Sequence, residues 1–434
     1  MHGAPDEAAR ALSSALRQLK GRARDEATVL LAETYQEMAR WEEALECLLR
    51  FEPKRVEDSD LQKLADILRI ESNRHLDTYS VSDLVRGARA LLDMLLDRDN
   101  SSVRAKAAVV ASSIASELKD EGMVEAVRAA IRGMEMEGFD RWDRSKVLLA
   151  GAHTAYQARQ LDAGLAEVLA ALHLLEQEGA TDTTYVRAQT GVGAIACAQG
   201  RYVDGVAPLI QAYLSASRLD NFFLMCQAAY NASICLSHLG DPEEHRRWAV
   251  LAREASEHLA PGSYERASAA AQYAVAHATL NAKEPVEKAL DWLEQEARST
   301  RHRWVLQCIE LYKADLNWLI GRKRAAFNSV AKTREIATQA LAIGFVGAYA
   351  RWSTLFLLHN GEPEVAWLEL QNTFKLLPRL DAKDRADVYC SAYTVDARWR
   401  IPIPNVADLA RQSLARIPMG CSEELSRMGL LLPH

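Results

Sequence analysis

The chain has 434 residues and a formal net charge of −7, which gives it no general attraction to nucleic acid or anionic membranes. Its apolar fraction of 49% is ordinary for a folded soluble protein, and no stretch reaches the roughly 20 apolar residues that span a bilayer. The N-terminus MHGAPDEAARAL lacks a basic segment followed by an apolar run, so it does not read as a secretory signal and the expected location is cytoplasmic.

Residues 1–24 read as a capping helix, with Ala8, Leu12, Leu16 and Leu19 at helical spacing. Amphipathic helix pairs follow over 25–53, 56–97, 98–137 and 142–179. In the second pair, S-V-S-D at 80–83 offers Ser80 or Ser82 as an N-cap. The third pair is expected to break at Glu121-Gly122, and the D-R-D-N-S-S turn before it is the expected flexible point of the first half. The fifth pair, 184–218, breaks at Gln199-Gly200, and Pro208 inside its second helix predicts a kink or a late helix start. Pairs over 223–258, 264–298, 302–340, 343–378 and 384–416 complete ten, and SEELSRMGLLL at 422–432 reads as a C-terminal cap. Pro242 and Pro363 fall in first helical turns, where the missing N–H would have had no partner.

The breaks recur every forty residues. From Gly200 they step forward to Gly240, Asn281, Gly321, Gly361 and Ile401-Pro402, and back to Gln160, Gly122, about Ser80 and Ala39. Seven residues before them lie Ala32, Ala115, Gly193, Ser233, Ala274, Ala314 and Thr354, all small. Five after lie Ala44, Gly205, Ala326, Ala366 and Ala407, with a slip of one at Ala126 and Gly164. Small side chains there let two antiparallel helices approach closely. His245 and Val286 break this rule and predict two splayed pairs.

Leu31, Ala32, Tyr35, Trp41, Ala44 and Pro53 in the first pair, Gly193, Gly200, Tyr202 and Gly205 in the fifth, and Gly361, Ala366 and Pro378 in the ninth resemble the tetratricopeptide-repeat family. The long unit is similar to the helical sensor domains of bacterial regulators related to the maltose-regulon activator. The resulting expectation is all-α: a right-handed α-solenoid of about ten antiparallel helix pairs. One domain is expected over 1–434, with caps at 1–24 and 417–434 around repeats at 25–416.

Motifs for chemistry are missing. T-G-V-G-A-I-A at 190–196 matches a dinucleotide fingerprint only superficially, because it lies within an expected helix and not at a strand-to-helix turn. The seven cysteines are scattered without a Cys-x-x-Cys pair and read as reduced, mostly buried thiols. His238 and His245 have no further ligands at metal spacing. No cofactor, metal or catalytic group is expected.

What remains is surface. The resemblance implies that the first helix of each pair lines a concave face, which selects Gln227, Tyr230, Asn231, Ile234 and His238; Tyr312, Asp315 and Trp318; and Arg351, Trp352, Leu355 and His359. Each set keeps i, i+3/4, i+7 spacing, and Tyr, Trp and Arg often carry interface energy. The competing reading places these aromatics in the core between repeats. The family's clamp for C-terminal carboxylates would need Lys, Asn and Arg at Thr190, Ala194, Asn231, Ser268 and Gln272, and only Asn231 matches. Residues 298–336 carry a local excess of Lys and Arg, with Arg301, Arg303, Arg322, Lys323 and Arg324 as candidate polyanion ligands. The reading favoured is a scaffold or adaptor that binds a protein partner or peptide segment, as a subunit of a larger complex. The alternatives are a sensing module in a bacterial regulatory or defence system that takes a peptide or small ligand, and, less favoured, nucleic-acid binding through 298–336.

Overall fold

The computed structural model describes residues 5–38, 40–51, 59–76, 80–96, 100–118, 120–280, 283–300, 302–336 and 345–433. Among these there are 22 α-helices and no strand. After α1 (Pro5–Ala15) come five pairs: α2 (Arg22–Glu37) with α3 (Trp41–Leu49), α4 (Ser59–His75) with α5 (Val81–Leu96), α6 (Ser101–Leu118) with α7 (Glu121–Arg132), α8 (Arg141–Gln157) with α9 (Leu161–Gln177), and α10 (Thr183–Ala198) with α11 (Tyr202–Arg218). Five more follow: α12 (Phe222–Leu239) with α13 (Pro242–Ser256), α14 (Tyr264–Thr279) with α15 (Lys283–Ser299), α16 (Arg303–Leu319) with α17 (Lys323–Ile336), α18 (Val346–His359) with α19 (Pro363–Phe374), and α20 (Ala382–Trp399) with α21 (Val406–Leu414). The last helix is α22 (Met419–Arg427). The fold is the expected α-solenoid of about ten helix pairs.

One turn explains the forty-residue rhythm. In five pairs the first helix ends on a residue with left-handed backbone: Arg159 (φ 57°), Gly200 (78°), Gly240 (77°), Gly321 (80°) and Gly361 (77°). Glycine serves four of these five because it has no Cβ to clash at positive φ. The next amide then reaches back five residues, from Gln160 to Ala155, Arg201 to Ala196, Asp241 to Leu236, Arg322 to Asn317 and Glu362 to Leu357, at 2.7–3.2 Å. The carbonyl of that same residue accepts from the second helix, from Gly164, Gly205, His245, Ala326 and Ala366, at 2.9–3.2 Å. A single residue thus satisfies an orphan carbonyl of one helix and opens the next.

Ala32, Ala115, Ala274, Ala314 and Ser233 are 0% exposed and Thr354 is 2%, as expected of close-approach positions. His245 and Val286 occupy the equivalent position in their second helices and are themselves buried. Ser80 caps α5 as expected: its hydroxyl accepts from the Asp83 amide at 3.2 Å, and its own amide donates to the Asp83 carboxylate at 3.0 Å.

Two expectations are corrected. Gly122 is not the third break but a residue of α7, because the Asp120 carboxylate accepts from the Met123 amide at 2.9 Å and starts the helix there. Val124 consequently takes the buried position and Ala126 faces solvent. Pro208 does not delay α11, which starts at Tyr202 and continues through it. Pro53, Ala39 and Asn281, and part of the D-R-D-N-S-S turn, lie outside the described residues.

The chain divides into two compact units, the first comprising 1–195 and 208–225, the second 196–207 and 226–434. In unit 1 an apolar core runs from Ile67 through Leu91, Val110 and Ile114 to Val147. Unit 1 also folds back on itself, since the Asn221 amide side chain donates to the Glu37 carbonyl at 2.7 Å and the Thr183 hydroxyl donates to the Glu37 carboxylate. In unit 2 one core joins α18, α19, α20 and α21 through Leu357, Leu370, Val388 and Val406, and another gathers α16, α18, α20 and α22.

Candidate partner-binding site

The first helices of unit 2 bring most of the selected residues together, in two groups. In the first, the Gln227 side-chain amide on α12 donates to Glu265 at 3.2 Å, and that of Asn231 donates to the Gln227 carbonyl at 2.8 Å. Tyr230 meets Tyr264 edge to face at 6.4 Å between ring centroids. Tyr264 also packs on Trp304 at 5.2 Å, and Tyr312 lies 5.8 Å from Phe345. The Tyr312 and Ser268 hydroxyls are 3.3 Å apart, and burial pushes the Tyr312 phenol well above its ordinary pKa, so it stays neutral. Gln227, Tyr230, Asn231 and Tyr312 are half-buried.

The second group is an ion network. Arg351 is 1% exposed and holds Asp387 on one side at 2.8 Å and Asp315 on the other at 2.9 Å. The Trp352 indole, 0% exposed, donates to Asp315 at 2.7 Å. Arg351 and Trp352 therefore do not stand on a surface, as their selection had implied. Two carboxylates from neighbouring repeats converge there, and a guanidinium is needed inside to offset them. Burial opposes the charge of Arg351, but Asp387 and Asp315 overcome it and hold the guanidinium protonated.

Over this network lies the C-terminal helix. Lys383 on α20 pairs with Glu424 of α22 at 3.2 Å. Burial works against the Glu424 charge, yet Lys383 and Arg351 prevail and hold its carboxyl down at about 2. The Trp318 indole donates to the Arg427 carbonyl at 2.9 Å, and its ring meets Trp352 edge to face at 5.5 Å. Cys421 reaches α12, where its sulfur is 2.8 Å from Nδ1 of His238. Burial lowers His238 to about 4 and raises the thiol to about 12, so at neutral pH the thiol donates to an uncharged imidazole. Leu425 and Met428, 0% and 3% exposed, join Trp352 and Leu355 in one apolar cluster. His359 stands apart from this seat and stacks on Phe327 at 4.6 Å.

Sequence reasoning missed Lys383, Asp387, Tyr264 and Glu424. Lys383 and Asp387 lie one turn apart on α20, so carrying the first-helix face one repeat further reaches both. Nothing in the periodicity reveals Glu424, whose helix follows the last pair.

The basic segment is largely paired. Arg322 bonds Glu287, Lys313 bonds Glu294 at 2.6 Å and Glu310 at 2.8 Å, and Arg334 bonds Glu369 at 2.8 Å. The Lys323 ammonium sits 5.2 Å over the Trp318 ring. Arg303 and Arg324 are exposed, and Arg301 lies outside the described residues. Among the described residues, no group of three or more His, Cys, Asp or Glu is placed to hold a metal ion. Among the described residues, no helix is long and apolar enough to cross a membrane.

A sequence profile described as "Tetratricopeptide repeat" matches residues 1–67, which contain the first helix pair. No curated protein matches the chain by sequence. Among solved structures, the human IFIT1 dimer with m7Gppp-AAAA matches with TM-score 0.53 and 12% identity, over 98% of this chain and 92% of that one. A Rap protein complexed with Competence and Sporulation Factor matches with TM-score 0.49 and 12% identity, over 97% and 99%. At such identities the likeness is one of fold.

Proposed function

We propose, from the premise that the chain is an α-solenoid of the tetratricopeptide-repeat type, that it is a non-catalytic recognition protein. Its partner is a protein segment bound on the first-helix face of unit 2. The observation that carries the reading is that this face already accepts a polypeptide: α22 lies across α12, α16, α18 and α20 and makes apolar, backbone and charged contacts with them. A surface that satisfies a helix in all three ways has the anatomy of a protein interface, an apolar centre with a few directional polar groups. The half-buried Gln227, Tyr230 and Asn231 extend it beyond α22.

The test is affinity purification of the full chain from its own host, with mass spectrometry, beside Gln227→Ala/Asn231→Ala. The hydrogen bonds of these two side chains go to Glu265 and within α12, so the variant keeps α22 seated. A stoichiometric protein present with wild type and absent with the variant supports the reading. A retained small molecule with no protein would replace it with the sensing reading.

A further inference from the structure

A helix that merely caps a repeat array covers the open apolar flank of the last pair. α22 does more. It follows α21, yet its residues reach His238 of α12, 183 positions back in the chain, as well as Trp318 and Lys383. Its contact face is a spaced set: Cys421, Glu424, Leu425 and Met428, the i, i+3, i+4, i+7 pattern of a helix laid in a groove. Glu423, Ser426 and Arg427 face solvent. Covering an apolar end does not require a charged pair, but here the half-buried Glu424, its side chain 30% exposed, meets Lys383 at 3.2 Å and lies within the influence of Arg351. At nine residues, α22 is too short to hold a helical form without its seat.

We infer that α22 is a stand-in: the first-helix face of unit 2 is a receptor for an amphipathic helix of another protein, one that carries a carboxylate with a thiol or hydroxyl at −3 and apolar residues at +1 and +4. α22 holds that place in cis until such a helix displaces it. This rests on the reading of the face as a partner site and names the partner's chemistry. Lys383 selects the carboxylate. Trp318, Trp352 and Leu355 take the apolar side chains, and His238 accepts from a thiol or hydroxyl at the −3 position. A tethered occupant competes at high effective concentration, so an external helix binds the intact chain more weakly than it binds the vacated face.

The probe is a fluorescein-labelled peptide of residues 417–431 under reducing conditions, titrated by anisotropy. The receivers are the full-length wild type and the full-length Leu425→Asp/Met428→Asp variant, whose α22 cannot seat. The expected result is at least tenfold tighter binding to the variant. Lys383→Glu added to the variant should abolish this, and a Glu424→Lys peptide should restore it. A variant with wild-type helicity that does not bind the peptide overturns the proposal. If the variant does not fold, hydrogen exchange on wild type decides. Release of 419–428 amides in a separate opening, with α16, α18 and α20 still protected, supports it. Exchange of 419–428 only with those helices overturns it. Loss of a captured protein in the Gln227→Ala/Asn231→Ala experiment bears on the broader reading alone, since the side-chain hydrogen bonds of both residues go to Glu265 and within α12.

Discussion

Replacing Arg351 by Met tests the ion network most directly. The guanidinium is 1% exposed and lies between Asp387, whose side chain is 1% exposed, and Asp315, at 19%. Met keeps much of the volume and removes the charge, leaving two carboxylates in a site that water barely reaches. Removing one partner of a buried pair costs about 3–5 kcal/mol, mostly through the uncompensated charge left behind. We expect a loss of that size for Arg351→Met in urea unfolding followed by circular dichroism at pH 7.5. The pH dependence adds a sign. Burial already pushes Asp387 and Asp315 up, with Arg351 opposing. Without Arg351 their folded pKa values rise further above the unfolded ones, so the folded state binds more protons and the deficit shrinks as pH falls from 7.5 to 5. Arg351→Met/Asp387→Asn should recover part of the loss at pH 7.5. A single variant within about 1 kcal/mol of wild type at pH 7.5, below the range for a broken buried pair, would refute the reasoning.

Other outcomes follow from the same structure. His75, His238 and His245 are each held near 4 by burial. The unfolded chain takes up protons between pH 6.5 and 4 that the folded chain refuses, so stability is full above 6.5 and falls as pH drops through that window. At pH 5 each should contribute at most about 2 kcal/mol of loss, and His238→Gln should flatten the urea midpoint against pH; an unchanged slope counts against a neutral buried His238. A Cβ on Gly347 would lie 2.5 Å from the Asp384 Cα. Gly347→Ala should therefore cost about 1–3 kcal/mol in thermal or urea unfolding, and full retention of stability would mean that α18 and α20 can part freely. Gly361 has φ 77° and no atom within 4 Å of an added Cβ. Its change to Ala should still cost about 1 kcal/mol from backbone conformation alone, and a neutral result would show that the turn relaxes.

The frame of the fold was legible because it is written locally. Gly200, Gly240, Gly321 and Gly361 stand where the backbone must go left-handed, and Ala32, Ala44, Ala274 and Ala314 stand where helices touch. The frame failed at Gly122, where a capping carboxylate two residues earlier set the helix start and glycine was not required. The candidate site was legible only in part. Helical spacing found Asp315, Trp318, Arg351 and Trp352 on neighbouring turns. It could not tell that Asp387 would draw Arg351 inward, nor that Glu424 and Cys421 would cover them. Those contacts join residues 36, 41 and 183 positions apart and depend on where a helix after the last repeat comes to rest.

The turn that closes one helix and opens the next has a consequence for how such a chain can change length. In six of the ten pairs the linker within the pair has three residues, whereas linkers between pairs range from three to nine. Adding one residue within the 158–160 or 320–322 turn would pull apart two backbone hydrogen bonds that share a single residue, one on each side. Adding it within 133–140 or 257–263 breaks no such double link. The same double link recurs between α11 and α12, where the Asn221 amide reaches Ala216 at 3.1 Å and its carbonyl accepts from Met225 at 2.9 Å. Insertions, whether from evolution or from an engineer placing an epitope, are therefore steered away from these turns and into linkers such as 133–140 and 257–263.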